Sequence, residues 1–121
     1  MDARSLYSRL GEAEGIRRII DDVIEAHLKN PVVGERFRQV QDLERLRSKA
    51  WEFFCAGAGG PEAYSGKDMI SAHKGMNITA DEYDAVTNDI LSALGKNRID
   101  DATARDVTAI LNSLKGQVIG V

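Results

Sequence analysis

His73 stands in the run Gly66-Lys-Asp-Met-Ile-Ser-Ala-His73-Lys-Gly-Met-Asn-Ile78. A Phe53-Phe54 pair and a Gly59-Gly60-Pro61 break precede it, and the chain has only two histidines and one cysteine. Bare zinc needs about four protein ligands, or three and a water, so one histidine cannot hold it. Haem iron needs a single protein ligand, because the porphyrin supplies the other four nitrogens. A macrocycle also needs a flat apolar slot with some polar groups at its rim. Phe37, Phe53, Phe54, Met69, Met76, Ile78, Tyr83 and Val86 can line one, and each can equally be ordinary core of a helical bundle. Periodicity alone is also satisfied if His73 is a partly exposed polar residue.

The other reactive side chains point to less. His27 lies on the apolar stripe of a helix and reads as a core-edge histidine hydrogen-bonded to backbone or to a carboxylate. Cys55 reads as a small buried hydrophobe. There is no Cys-x-x-Cys-His to attach haem through thioethers. No Gly-Lys-Ser/Thr follows Gly59-Gly60, so that pair is not a phosphate loop. Asp21 and Asp22 are adjacent on a helix, point in different directions and read as solvated charge.

These residues must be held by helices. Ile16, Ile19, Ile20, Val23, Ile24, His27 and Leu28 follow the three- and four-residue spacing of one long buried stripe. Asn30-Pro31 ends that helix, since the residue before proline disfavours helical angles. Val32 to Phe37 predicts one short helical turn. A helix from about Asp42 to Ala56 carries Leu43, Leu46, Ala50, Phe53 and Phe54, and the glycine cluster stops it. From Gly60 to Asn77 the apolar pattern breaks down, which predicts a loop with a small helix around Lys67–His73. Thr79-Ala-Asp-Glu82 reads as a capping box opening a helix with Tyr83, Val86, Ile90 and Leu94 inward. A last helix starts at Asp100 or Asp101 and buries Val107, Ile110, Leu111, Leu114 and Val118. No strand pattern or repeat interrupts this, so the expectation is one all-α domain over residues 1–121, with four main helices.

Net charge is −3 with mixed signs, and no basic patch suggests nucleic acid. No apolar run reaches the ~18–20 residues of a membrane span. The lone cysteine and the charged first twenty residues fit a soluble cytoplasmic protein.

Over nearly its whole length the sequence resembles the group I truncated haemoglobins. The resemblance rests on Ser5-Leu-Tyr7-Ser-Arg-Leu10-Gly11, Gly15-Ile16, Asn30-Pro31 and Phe37. It continues through Glu52-Phe53-Phe54, Gly59-Gly60-Pro61-Glu-Ala-Tyr64-Ser-Gly66, Met69, Ala72-His73-Lys-Gly75-Met76 and Ile78. It implies a two-over-two helical sandwich enclosing non-covalent haem b, with His73 as the proximal iron ligand. Phe37 then packs on the porphyrin, and Phe53 and Phe54 flank the haem. Leu46, Lys49, Ala50, Tyr64, Met69, Met76, Ile78, Tyr83 and Val86 complete the contacts. Lys49 reads as an ion-pair partner of a haem propionate, with a role as sixth iron ligand as the alternative.

The sequence departs from the family at several places. Val23-Ile24 stand where the family often has phenylalanine and a distal tyrosine. Ala50 stands at the usual distal glutamine, and Leu46 one turn earlier is also apolar. Gly11-Glu12 stands at the family's Gly-Gly after the first helix, and the last helix has no histidine for the covalent haem link known in some members. The resemblance therefore implies a protein that reversibly binds dioxygen, carbon monoxide or nitric oxide in an apolar distal pocket built on Ile24, Leu46 and Ala50. The alternative is a nitric oxide dioxygenase served by an electron-donating reductase. A monomer or weak dimer is expected, with neither nucleic acid nor membrane as partner.

Overall fold

The computed structural model describes residues 4–121, and all regular structure among them is helical. The elements are α1 (Leu6–Arg9), α2 (Glu12–Lys29), α3 (Gly34–Arg38), α4 (Leu43–Gly57), α5 (Met69–His73), α6 (Ala80–Lys96) and α7 (Asp101–Leu114), followed by a 3-10 turn, Lys115–Gln117.

The stripe predicted for α2 is the centre of the core. Ile16, Ile19, Ile20, Val23 and Ile24 are each at most 4 % exposed. Because the apolar arc of α2 is wide, it packs against α4 on one side and α6 on the other, while α6 packs on α7. The helix pairs α2–α4 and α6–α7 thus form two stacked layers. Burying five branched side chains contributes about 1.5–3 kcal/mol each, before chain entropy is subtracted.

Local signals set the helix ends. Asp42 and Asp100 accept from the backbone N–H three residues on, and Thr79 with Glu82 forms the reciprocal capping box. The entry to α2 is different: Gly11 has no side-chain cap, and the chain turns sharply there. A Cβ on Gly15 would sit 2.4 Å from the Leu10 carbonyl oxygen, so only glycine lets α1 and α2 meet this closely.

One element was missed and two expectations need correction. Helix α1 is not visible as a periodic pattern, because four residues are too few, although Ser5 caps it. Val118 is buried but lies beyond α7, which ends at Leu114. Asp21 and Asp22 do diverge, but they are not simply solvated. Asp21 Oδ1 lies 2.6 Å from Arg47 Nη1 on α4. Asp22 Oδ2 accepts from Asn97 Nδ2 at 2.8 Å, just past α6, and Oδ1 lies 3.3 Å from Lys96 Nζ. Adjacent positions on one helix point about 100° apart, so each carboxylate meets a different neighbour of α2.

Candidate functional site

Helix α5 is one turn long and buries none of its residues fully. Asp68 caps it, accepting from the Ser71 N–H at 3.2 Å. Within that turn His73 Nδ1 lies 2.8 Å from the Met69 carbonyl oxygen. A carbonyl can only accept, so Nδ1 carries the proton and donates. That fixes the tautomer and leaves the Nε2 lone pair free to bind a metal. Such a bond suits an iron ligand, because its ring orientation sets the bond direction.

Helix α4 presents Leu46, Ala50, Phe53 and Phe54 half-buried, and of its fifteen residues only Cys55 is fully buried. Phe53 meets Phe54 edge-on at 6.5 Å between ring centroids, and Tyr64 edge-on at 5.2 Å. The Tyr64 hydroxyl donates to the Lys67 carbonyl at 2.5 Å, which braces the loop beside α4. Met69, Ile78 and Val86 are half-buried, and Met76 is exposed. In residue type, the half-covered aromatic and aliphatic side chains on α4 and the tautomer-locked histidine on α5 suit a flat apolar macrocycle that takes one histidine ligand.

Ile24 is 3 % exposed and packs into the main core. Ile24, Leu46 and Ala50 carry no side-chain hydrogen-bond donor. Lys49 turns toward the loop after α4: its ammonium donates to Ser65 Oγ at 2.5 Å and lies 3.8 Å from Glu52 Oε1. The Ser65 hydroxyl and N–H donate to that same oxygen at 2.6 and 2.9 Å. These bonds hold the Glu52 carboxyl below its ordinary range. The Tyr83 ring is buried and its hydroxyl donates to the Leu111 carbonyl, so this residue also ties α6 to α7.

His27 is buried against a carboxylate. Its Nδ1 lies 2.8 Å from Asp89 Oδ2, and Asn30 Nδ2 donates to both Asp89 oxygens at 3.1 and 3.0 Å. The ring stacks on Phe37, with centroids 4.5 Å apart. Burial pulls His27 below the ordinary histidine value, against the opposing pull of Asp89. Above about pH 6.5 the residue is neutral whether the chain is folded or not. Below that, the unfolded chain takes up a proton that the folded chain resists, so stability is lost as pH falls through the lowered folded value. The thermal midpoint should therefore drop between pH 6.5 and 5 more steeply in the wild type than in His27→Gln. Equal slopes would mean that another group carries this dependence.

Asp89 and Arg36 have no signal in the sequence, and Asn30 was legible only as a helix stop and a family-like position, not as the partner of Asp89. Arg36 pairs with Glu82 and donates from Nη2 to the Met76 carbonyl at 3.0 Å, joining α3 to the segment after α5. Glu82 was legible only as a capping residue. Cys55 is fully buried, and burial together with the nearby Glu62 charge pushes its thiol up to about 11, an inert protonated thiol. A small cavity of about 30 Å³, lined by Leu6, Leu10, Val107 and Leu111, also touches Phe53 and Phe54.

Residues 5–119 match the family model described as bacterial-like globin. A group 1 truncated hemoglobin of Tetrahymena pyriformis is 23 % identical over 117 residues, which span 97 % of this chain and 96 % of that one. The crystal structure of the truncated hemoglobin from Tetrahymena pyriformis in its Fe(III) form superposes with a TM-score of 0.93 at 23 % identity, covering 98 % and 100 % of the two chains. The 2/2 hemoglobin from Synechococcus, in the cyanomet state and with covalently attached heme, superposes with a TM-score of 0.84 at 21 % identity, covering 94 % and 95 %.

Proposed function

The chain belongs to the bacterial-like globin family, whose cofactor is haem, and from that premise we propose that it is a cytoplasmic protein that holds haem b non-covalently and reversibly binds dioxygen or another diatomic gas. The observation that carries this reading is the His73–Met69 hydrogen bond, which leaves Nε2 bare and aimed by a single helical turn. Haem supplies the iron centre at which a gas binds. This chain's residues do the rest. His73 is the proximal ligand, and Phe37, Phe53, Phe54, Tyr64, Met69, Met76, Ile78, Tyr83 and Val86 exclude water from the macrocycle. Lys49, already paired with Glu52 and Ser65, serves a propionate rather than the iron. A sixth-ligand role would first require breaking both contacts and removing the ammonium proton.

Non-covalent retention is supported by the two residues that could otherwise bond the cofactor. His27 is held by Asp89, and Cys55 is buried and protonated. The decisive measurement is a haem titration of the purified chain. Trp51, the only tryptophan, should be quenched to a one-to-one endpoint while a Soret band grows. A non-saturating titration would overturn the reading.

The distal residues Ile24, Leu46 and Ala50 offer no donor, so dioxygen should leave faster than from members with a distal tyrosine. In Ile24→Tyr, dioxygen dissociation should slow by roughly tenfold if one hydrogen bond of about 1.4 kcal/mol forms. Carbon monoxide dissociation should change less. An unchanged dioxygen rate in a folded variant would count against this pocket. Nitrate production under multiple turnover with an added reductase would instead favour the nitric oxide dioxygenase alternative.

A further inference from the structure

We propose that Val118–Val121 is a strap that positions the proximal histidine, fastening the chain just beyond His73 through two backbone hydrogen bonds; this rests on the haem reading above. The Gly75 N–H donates to the Val121 carbonyl at 3.0 Å, and the Gly120 N–H donates to the Ile78 carbonyl at 3.0 Å. The two bonds run in opposite directions between the same two segments, so they fix both the separation and the register of the strap against residues 75–78.

Helix α5 depends on this fastening because it has little else. Its five residues include none that is fully buried, and its main helical neighbour is the 3-10 turn Lys115–Gln117, which leads directly into the strap. Val118, 6 % exposed, pins the near end of the strap in the core, while Ile119 and Val121 are half-buried. On the other side Arg36 holds the Met76 carbonyl, so residues 75–78 are gripped from α3 and from the strap together. Their position is passed to His73 through the short turn in which the Met76 N–H donates to the His73 carbonyl at 3.1 Å.

Two glycines make the fastening feasible. Gly75 has φ +80° and Gly120 has φ +67°, the left-handed region that a Cβ disfavours. A Cβ at either position would meet nothing within 4 Å, so the need is for the backbone angle and not for space. Asparagine tolerates this region better than other residues, and valine tolerates it worst.

Three full-length variants and one shortened chain test the strap. Gly75→Val, Gly120→Val and a chain ended after Val118 should each lose haem to excess apomyoglobin about tenfold faster than wild type. Their iron–histidine stretching band in the ferrous Raman spectrum should broaden or shift. Gly75→Asn should match wild type in both. In the haem-free proteins, amide hydrogen exchange over residues 69–78 should quicken in the three loosened chains and not in Gly75→Asn. If the shortened chain fails to fold, the Gly75→Val and Gly75→Asn pair decides alone. Wild-type haem loss, Raman band and exchange in Gly75→Val would overturn the strap while leaving the haem reading intact. A wild-type chain with no Soret band would overturn both.

Discussion

Replacing His73 with glycine should weaken haem retention by roughly a hundredfold or more. Removing a mere outer-shell partner of a metal ligand typically costs 10–100-fold, and His73 is proposed as the ligand itself. The fold should survive, because His73 lies on α5, which contributes no fully buried residue. Wild-type and His73→Gly chains should therefore unfold at the same urea concentration when haem-free and differ only when haem is added. Free imidazole should restore a histidine-like spectrum to His73→Gly by occupying the space left by the side chain. His27→Gln is the control: His27 is engaged by Asp89 and Phe37, so its loss should leave the Soret band in place. The assignment of the ligand is wrong if His27→Gln strips the haem and His73→Gly keeps it.

Ile20→Ala should do the reverse. Ile20 is 1 % exposed and sits mid-helix in α2, the helix that packs on α4 within its own layer and on α6 of the other. Its truncation removes buried methyl groups and leaves a cavity that α4 and α6 cannot both collapse into, at a cost of about 2–5 kcal/mol. With a urea slope of about 1–3 kcal/mol per molar, the midpoint should fall by roughly 1 M or more. The loss should appear with and without haem, since the residue supports the layers and not the cofactor. A midpoint unchanged within 0.2 M, by rough allowance for extrapolation error, would show that α2 is not the central helix.

The helices with long stripes were legible from sequence. Ile16 through Ile24 repeat at helical spacing, Asn30-Pro31 stops them, and Thr79 with Glu82 opens α6, because such signals act between residues three or four apart. The short α1 was missed, since one turn carries no period. The singling-out of His73 was also a matter of sequence, from the scarcity of other ligands and the run around it. Its tautomer was not, although the Met69 carbonyl is only four residues away, because the bond exists only if that stretch closes into a helical turn.

What the sequence determined by itself is the all-helical character, the central stripe and the candidate ligand. What only the tertiary structure decided is which polar groups meet: His27 with Asp89, Arg36 with Glu82 and Met76, Lys49 with Ser65, Asp21 and Asp22 with different helices, and Gly75 with Val121. Apolar burial is non-directional and shows in the sequence as periodicity. A hydrogen bond needs one donor and one acceptor within about 3 Å, and between residues far apart in the chain that distance is set only when the helices have packed.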